Sequence, residues 1–495
     1  MNSNNTTTWD PAPAAVPPHR GGIETRSIDY VPERERHGRV AGQGPFWFLG
    51  NFQFFTIAIG FVGPGMGLSL GYTVLSGTLG ILFGTLFMAF HASQGAHLGL
   101  PQMIQSRAQF GYRGVVVVLL ATAFTFVGFN VVDTVLMSSG LKGIFGWSPV
   151  AVTIGTALLA LALAVYGHDW LHRVFKWMLV ASLPLYIVLS LAIMSGAAGG
   201  KVDHPGAFSI VAFAAQFAAS ASYNITYAPY VSDYSRYLPR ETRPRSIIAA
   251  VFIGASVSAI WLIALGAWLA TRLGASDGLV ALYGAGNAVF HGFGALISLA
   301  SIGAMAATMG LNAYSAMLTI VTGLDSFWPV KPTRSIRIVT LIGLTALWMI
   351  ISLALTGNAI DILFAALTIM LYLLVPWTAI NLVDYFFVRR GEYAITDLFT
   401  PGGIYGAWGV RGLLAYAIGF FSTIPFFVLP GFYTGAIAQK IGGVDIAWAV
   451  GLVVSAVAYL LMTRSLDTSA EKPAIETSEI ELASLASRAP EAAGV

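Results

Sequence analysis

The sequence lacks cysteine altogether and contains little charge. The absence of cysteine excludes disulfides, thiolate metal sites and thiol nucleophiles. Asp, Glu, Lys and Arg make up only 10% of the 495 residues, whereas a soluble globular chain carries roughly 25% charged residues. Since 56% of the residues are apolar, a water-soluble body is excluded, and the length fits a single domain of many membrane spans.

Signatures of enzymes and of nucleotide-driven pumps are missing as well. The chain has no H-E-x-x-H motif, no P-loop and no cluster of carboxylates within an apolar run, so neither a membrane-embedded enzyme nor an ATP-driven pump is favoured. The formal net charge of +3 creates no strong field toward nucleic acid. No cofactor and no obligate protein partner is predicted. Residues 1–45 lack the apolar core of a cleavable signal peptide, so the first apolar run is expected to remain as a span.

Twelve apolar runs are long enough to cross roughly 30 Å of hydrocarbon. They fall near residues 46–72, 74–96, 114–141, 148–166, 174–196, 208–231, 246–270, 290–323, 337–356, 360–388, 411–432 and 444–463. We predict an all-α polytopic membrane protein with one transporter-sized domain over 46–464, between disordered polar tails at 1–45 and 465–495.

Lys and Arg fall mostly on one side of this arrangement. The other side holds only Lys142, Lys201, Arg272 and Lys440. Because positively charged loops stay in the cytoplasm, both termini are predicted to be cytoplasmic, with the protein in the plasma or inner membrane.

Two of the runs contain residues that interrupt a helix. The first reads Ile57-Ala-Ile-Gly-Phe-Val-Gly-Pro-Gly-Met-Gly67 and the sixth reads Ser220-Ala-Ser-Tyr-Asn-Ile-Thr-Tyr-Ala-Pro-Tyr230. Glycine and proline loosen or break the backbone ladder, although a kinked helix packed by glycines is an alternative for either span. Two broken spans that open two halves of five spans predict an inverted repeat, about 46–196 and 208–388, followed by extra helices at 411–463.

In an inverted-repeat transporter the interrupted helices meet at the middle of the bilayer, where released backbone groups bind substrate and ion. The two interrupted stretches therefore provide candidate substrate ligands, namely Gly60, Phe61, Gly63, Asn224 and Thr226.

Few ionisable groups lie deep in the runs, and each is costly there. Asp133 is the best placed, and it follows Phe129 by four residues, so that the two side chains share one helix face. On span eight, Thr308 and Asn312 have the same spacing, and an Asn amide both donates and accepts, as recognition of a heterocyclic edge requires. Two alternatives stay open. In the first, Asp133 lies near the outer end of span three, where it contacts water or pairs with another group. In the second, Asn312 makes a hydrogen bond between helices instead of binding substrate.

Other polar and small residues of the runs are interpreted as structural. Three carboxylates at span ends are predicted to be boundary residues: Asp325, Asp361 and Asp384. His168 and His172 have metal-ligand spacing, but they fall in a charged loop and are expected to be solvated. Gly80 and Gly84 indicate close helix packing.

Three longer stretches resemble one family. They read Gly99-Leu-Pro-Gln-Met-Ile-Gln-Ser-Arg-Ala-Gln-Phe-Gly-Tyr-Arg-Gly114, Ala228-Pro-Tyr-Val-Ser-Asp-Tyr-Ser-Arg-Tyr-Leu-Pro239 and Asn381-Leu-Val-Asp-Tyr-Phe386. In this order they resemble the purine-cytosine permease branch of the nucleobase:cation symporter family 1, whose members are permeases for cytosine, purines, uracil, thiamine or allantoin. The similarity runs from about residue 43 to 463. It implies a LeuT-type fold with a five-plus-five inverted repeat, broken helices one and six, and two extra helices.

The resemblance also implies roles for particular residues. In the family, the substrate ring lies between an aromatic residue of span three and one of span six, which Phe129 and Tyr227 match, although Trp is common at both positions. The polar residue four positions after the first aromatic residue, commonly Asn, is Asp133 here. The asparagine of span eight matches Asn312.

In sodium-coupled members of the family, hydroxyl-bearing residues of span eight lie against the carbonyl groups of span one. Span eight of this chain has one such hydroxyl fewer. Thr308 remains, opposite the stretch that begins near Ala58, and these two residues and Asp133 are the candidates for cation coupling. H⁺ is favoured over Na⁺ as the coupling ion, because a carboxyl group in a poorly hydrated site can exchange a proton near neutral pH.

The predicted function is secondary active import of a nucleobase or related heterocycle, such as cytosine, a purine, allantoin or hydantoin, by cation symport. Its partners would be the small heterocycle, the coupling cation and the lipid bilayer. Two alternatives stay open, an amino-acid or amine transporter on the same fold, and a sensor or scaffold that does not transport. The pair Phe129 and Tyr227, with Asn312, favours a neutral flat ring, whereas an amino acid needs groups for its carboxylate and amine.

Overall fold

The computed structural model of the chain describes residues 27–200, 206–330, 333–355, 358–429 and 431–487. Over these residues the chain is almost entirely helical. One small hairpin pairs β1 (Val428–Leu429) with β2 (Tyr433–Thr434) in antiparallel register.

The helices follow one another with short connections. The first half of the chain forms α1 (Val40–Asn51), α2 (Phe54–Ile59), α3 (Val62–Gly65), α4 (Leu70–Leu98), α5 (Gln102–Gln105), α6 (Arg107–Phe110), α7 (Val116–Phe145), α8 (Pro149–Tyr166) and α9 (His168–Met194). The second half forms α10 (Ile210–Ile225), α11 (Ala228–Ser235), α12 (Pro244–Leu273), α13 (Gly278–Val289), α14 (Phe293–Asp325), α15 (Arg334–Ala354), α16 (Ala359–Val383), α17 (Val410–Thr423), α18 (Ala436–Lys440), α19 (Ala447–Thr463) and α20 (Lys472–Ser487).

Eight of the described helices are long and apolar enough to cross a membrane: α4, α7, α8, α9, α12, α14, α15, and α16 with its π-helical extension. Two further candidates are bent pairs, Val40–Asn51 with Phe54–Gly65 at 56° and Ala447–Thr463 with Thr468–Ser484 at 77°. The successive helices α10 and α11, and the shorter α17, coincide with the remaining predicted runs. Each of the twelve predicted runs thus corresponds to a helix or to consecutive helices, in an all-α polytopic fold.

Span one is interrupted at two places, one upstream of the predicted stretch and one within it. The upstream interruption lies at Phe52 and Gln53, where Gln53 is extended (φ −147°, ψ 170°) and its side chain accepts a hydrogen bond from the Phe55 N–H at 2.7 Å. A second interruption, at Gly60 and Phe61, separates α2 from α3. It lies within the predicted glycine-rich stretch and has the same backbone conformation as the break of span six, so the predicted break is confirmed and the one at Phe52 and Gln53 is additional. Gly60 also serves packing, since a Cβ there would clash with the carbonyl oxygen of Ile263 on α12.

Span six is interrupted where the sequence predicted. Helix α10 ends at Ile225 and α11 begins at Ala228, with Pro229 in its first turn, where a missing N–H costs nothing. Helix α10 packs closely against α4. A Cβ at Gly80 or Gly84 would clash with backbone carbonyl groups of α10, so the predicted close packing at these glycines is confirmed.

The prediction that both tails are disordered is wrong for the tail residues that the structure describes, 27–45 and 465–487. Residues 27–39 pack against the helical body, where Val31 is fully buried and Arg36 Nη1 donates to the Ala96 carbonyl group at 2.7 Å. After α19 the chain forms a short turn (Thr468–Glu471) and α20, which contacts the body through the buried Leu482. Residues 1–26 and 488–495 lie outside the described residues.

Asp384 is a buried ion-cluster residue and not the predicted boundary residue. Its carboxylate accepts hydrogen bonds at 2.7–2.8 Å from four side chains: Gln109, Arg389, Tyr393 and Tyr459. Arg389 also pairs with Glu471 at 2.9 Å. The cluster fastens the start of the C-terminal segment to the end of α16, which explains why that segment is ordered.

Asp325 is also paired, because Arg107 Nη2 lies 2.9 Å from its carboxylate. The Tyr112 hydroxyl donates to the same carboxylate at 2.8 Å. Burial raises the pKa of Tyr112 to about 12, so this hydroxyl remains a donor throughout the physiological range. Asp361 is exposed, as predicted for a boundary residue.

We predict that Arg389→Ala destabilises the folded protein by about 3–5 kcal/mol, because it leaves the buried carboxylates of Asp384 and Glu471 without their cation. The neighbouring Arg390 is exposed, so Arg390→Ala is a matched control. Thermal unfolding of both variants in detergent micelles measures the difference. Equal unfolding midpoints would show that the cluster does not hold the C-terminal segment.

Candidate functional site

The upstream interruption of span one and the interruption of span six lie side by side and are joined by hydrogen bonds. Asn51, the last residue of α1, donates to Asn224 Oδ1 at 2.8 Å, and Asn224 donates onward to Thr85. The Tyr227 hydroxyl donates to the Gly50 carbonyl group at 3.1 Å. Side chains of span six thus bind groups at the break of span one. The amide of Asn224, a predicted substrate ligand, is engaged at both ends in this bracing.

Four aromatic rings gather at the junction of the broken spans. Phe129 of α7 and Tyr227 lie nearly parallel, with ring centroids 5.8 Å apart and an angle of 16° between their planes. Phe55 of α2 and Tyr223 of α10 form a second nearly parallel pair, at 5.3 Å and 16°. The structure therefore brings together the two rings that the sequence assigned to substrate stacking.

The ring pair Phe129 and Tyr227 is closed. A third ring held face to face between two others requires centroids about 7 Å apart, twice a contact distance of about 3.5 Å, and this pair is at 5.8 Å. Both residues are buried, at 2% and 1% exposed. The two rings must therefore move apart by about 1 Å before a flat molecule can enter.

Asp133 lies one turn beyond Phe129 on α7 and is 1% exposed. Within the described residues, neither of its carboxylate oxygens has a hydrogen-bond partner. Asp133 is therefore neither in contact with solvent nor paired within the described residues. A buried carboxyl group without a partner lowers the stability of the folded protein unless a proton or a ligand pairs with it.

The two polar atoms of the Asn312 amide differ in their contacts. Nδ2 donates to Asn130 Oδ1 at 2.9 Å, and Asn130 donates to the Met309 carbonyl group at 3.2 Å, so the alternative of a hydrogen bond between helices is realised. Asn312 Oδ1 is buried and has no partner in the described part of the chain, and the same holds for the Tyr230 hydroxyl. Open polar atoms therefore remain after the helices are joined.

The predicted ligands of span one are engaged within the protein. The Gly63 N–H donates to Gln216 Oε1 at 2.8 Å. Gly60 lies against α12, and Phe61 is 4% exposed, with its ring near Gly278 at the start of α13. The structure gives these three residues contacts that hold span one against its neighbours.

Thr226 and the candidates for cation coupling use their polar groups locally. The Thr226 hydroxyl donates to the Tyr223 carbonyl group at 2.8 Å, which caps α10. The Thr308 hydroxyl donates back to the Ala304 carbonyl group at 3.2 Å. The Ala58 carbonyl group accepts an N–H three residues further on at 3.1 Å. Helix α2 does pack against α14, so Ala58 and Thr308 lie on neighbouring helices.

Sequence reasoning missed four residues of the junction: Phe55, Asn130, Tyr223 and Tyr230. Tyr223 precedes Tyr227 by four residues, and the helical spacing of these two rings could have identified it. Asn130 follows Phe129 directly and pairs with Asn312, which pattern reading alone does not connect. Phe55 lies between Gln53 and Thr56, and nothing in the local sequence distinguishes it from the neighbouring Phe52 and Phe54.

Comparisons with known proteins point in one direction. A family profile described as "Permease for cytosine/purines, uracil, thiamine, allantoin" matches residues 30–451. The chain is 34% identical over 451 residues to the putative purine-cytosine permease YxlA of Bacillus subtilis, covering 89% of this chain and 96% of that one. It is 25% identical over 480 residues to the purine-cytosine permease FCY2 of Saccharomyces cerevisiae, covering 89% and 85%.

The fold has a solved counterpart as well. Mhp1, a transporter of the nucleobase-cation-symport-1 family solved in a closed conformation with bromovinylhydantoin bound, superposes with a TM-score of 0.71 at 17% identity, over 92% of this chain and 98% of that one. Its inward-facing conformation superposes with a TM-score of 0.65. The predicted LeuT-type fold is thereby confirmed.

We predict that Phe129→Ala or Tyr227→Ala weakens binding of a flat heterocycle by about 1–3 kcal/mol, the contribution of one stacked ring. Phe129→Trp should keep the stack. Phe124→Ala is the matched control, because Phe124 lies on the same helix but is 42% exposed. Equilibrium binding of labelled cytosine or hypoxanthine to purified protein measures the change. Wild-type affinity in both alanine variants would refute stacking between these rings.

Proposed function

Because the chain belongs to the family of permeases for cytosine/purines, uracil, thiamine and allantoin, we propose that it imports a nucleobase or related heterocycle by secondary active symport. The protein is a multi-pass membrane transporter and not an enzyme. One observation carries the proposal, the parallel rings of Phe129 and Tyr227 beside the buried carboxyl group of Asp133. Rings offer their faces for stacking, and open polar atoms read the edge of a polar heterocycle.

The substrate would enter between the two rings as they separate. Its faces would contact Phe129 and Tyr227, and its edge would meet polar atoms that have no hydrogen-bond partner among the described residues. Asn312 Oδ1 would accept from a ring N–H, and the Tyr230 hydroxyl would donate to a ring carbonyl group. Such pairing removes the cost of leaving these buried atoms unpaired, so a ring with a donor and an acceptor on one edge is favoured over a plain aromatic compound.

The range of substrates is proposed from the relatives. Two are named purine-cytosine permeases, and Mhp1 was solved with a hydantoin bound. Cytosine, purines, allantoin and hydantoins all combine a flat ring with an amide or amino edge. A competition panel of these unlabelled compounds against labelled cytosine and hypoxanthine in proteoliposomes would identify the substrate, and a lack of uptake for every compound would favour the sensor or scaffold.

An amine transporter is the second candidate, and the same acid favours it. A buried carboxylate beside aromatic rings suits a protonated amine, which pairs with the charge and contacts the ring faces. A free amino acid fits less well, because its carboxylate would be repelled by Asp133. Competition by organic amines but not by neutral heterocycles would select this candidate.

We assign H⁺ as the coupling ion and Asp133 as the residue that carries it. The Thr308 hydroxyl is already bonded to its own helix, and the preceding Ala306 and Ala307 have no hydroxyl to offer a sodium ion. The excess of Lys and Arg on one side supports a cell-membrane protein with both termini in the cytoplasm. A proton taken up by Asp133 outside and released inside would link import to the pH gradient.

We predict that Asp133→Asn retains substrate binding but abolishes the acceleration of uptake by an acidic exterior, because the amide keeps hydrogen-bonding capacity and cannot titrate near neutral pH. Asp361→Asn is the matched control, since Asp361 is exposed at the start of α16. Proteoliposomes with an imposed pH gradient, with and without sodium, measure the effect.

A sodium requirement in the wild-type protein, without response to the pH gradient, would refute proton coupling. The cation would then be assigned to the neighbouring helices that carry Ala58 and Thr308.

A further inference from the structure

A compact cluster of metal-ligating side chains lies away from the ring pair. His37 belongs to the segment that precedes α1, and His168 and Asp169 are the first two residues of α9. Asp169 Oδ1 lies 3.1 Å from His37 Nε2 and 2.9 Å from His168 Nδ1. One ligand atom from each of the three side chains lies within 4.8 Å of the other two. His168 is 5% exposed, so the expectation that it is solvated was wrong.

The hydrogen bonds around His37 orient its ring for a metal. Nδ1 lies 2.8 Å from the Glu35 carbonyl oxygen, which can only accept, so Nδ1 carries the proton of that bond. Nε2 then faces the carboxylate of Asp169, where either a second proton or a metal ion fills the space between the two atoms. A histidine that donates one ring N–H to a backbone carbonyl group and presents its other nitrogen is the usual arrangement of a metal ligand.

We propose that His37, His168 and Asp169 form a binding site for a divalent transition-metal ion of the Zn²⁺ class. Two imidazole nitrogens and one carboxylate oxygen are a ligand set that Zn²⁺ accepts, with water in the fourth position. Ligand atoms around a tetrahedral Zn²⁺ lie about 3.4 Å apart. The separations of 2.9 and 3.1 Å from Asp169 Oδ1 open by a few tenths of an ångström, and the separation of the two histidine ligand atoms, which lies within 4.8 Å, closes by up to about 1.4 Å.

The site is accessible and spans two parts of the molecule. The side chains of His37 and Asp169 are 58% and 53% exposed, so an ion can reach them from solution. His168 lies against Tyr237, with ring centroids 4.2 Å apart, and His37 lies 5.8 Å from the same ring. A bound ion would therefore tie the segment before α1 to α9, next to the segment that follows α11.

Such a link between the two segments would also affect transport. This consequence rests on the proposed function, whereas the binding of the metal ion does not rest on it. The segment that contains His37 leads directly into the first half of broken span one. In alternating access, repeats and bundles rock against each other around the central site, so an ion that joins this segment to α9 resists their separation. Zn²⁺ is therefore expected to slow heterocycle uptake as well as to bind.

Calorimetric titration of the purified full-length protein with Zn²⁺, after removal of any affinity tag, tests the site. One ion should bind per wild-type chain, and His37→Ala and Asp169→Ala should each weaken binding by about 10-fold or more, since even indirect partners of a metal matter by about 10–100-fold. His291→Ala is the control, because His291 is exposed and lies between α13 and α14.

Thermal unfolding provides an independent measurement, in which Zn²⁺ should raise the midpoint of the wild-type protein and of His291→Ala but not of His37→Ala. Equal Zn²⁺ affinity in wild type and His37→Ala, or no binding to the wild type, would overturn the site and leave a proton-bridged cluster. Metal binding with unchanged uptake rates would overturn the tie. A protein that binds Zn²⁺ yet transports no heterocycle would refute the proposed function and not the metal site.

Discussion

Every backbone N–H and C=O group that a broken helix releases inside a bilayer must find another partner, and this constraint organises the molecule. Gln53 caps the second half of span one, and the Thr226 hydroxyl caps the first half of span six. Asn51 and Tyr227 then tie the two breaks to each other. Each break is thus capped by a side chain of its own span and joined to the other break, so the interrupted stretches of the two halves of the protein meet.

The same junction explains why a binding site forms there. Interruptions expose polar groups and leave room for side chains that cannot pack along a continuous helix. Phe129 and Tyr227 lie there with their ring centroids 5.8 Å apart. Asp133 and Asn312 add buried oxygen atoms that have no hydrogen-bond partner in the described part of the chain. Unsatisfied buried oxygens destabilise the closed protein, and a ligand or proton that pairs with them recovers that free energy. Binding is thus linked to the arrangement of the helices.

The N-terminal and C-terminal segments are held against the helical body by arginine side chains. Arg389 joins Asp384 to Glu471 and so holds the beginning of the C-terminal segment. On the other side of the sequence, Arg36 donates to backbone carbonyl groups that include Ala96, and Arg236 donates to the Ser27 carbonyl group at 2.6 Å. Arginine suits this role because it stays charged and offers several donors in a fixed geometry. These contacts place His37 beside α9, where the proposed metal site lies.

The class of fold, the approximate spans and the family could be predicted from the sequence alone, because long apolar runs and extended motifs are recognisable without knowledge of tertiary contacts. Helical spacing and residue type, which are local properties, predicted Phe129, Asp133 and Asn312 as site residues, whereas Tyr227 was predicted from the resemblance to the family. The additional break at Phe52 and Gln53, the bracing by Asn224 and the burial of Asp384 depend on contacts between distant parts of the chain. A glycine that loosens a helix and one that lets two helices touch look alike in a sequence, as Gly60 shows. Likewise, a carboxylate at a span end is wet or buried according to whether an arginine such as Arg389 comes to lie beside it, and only the packing of distant helices settles that.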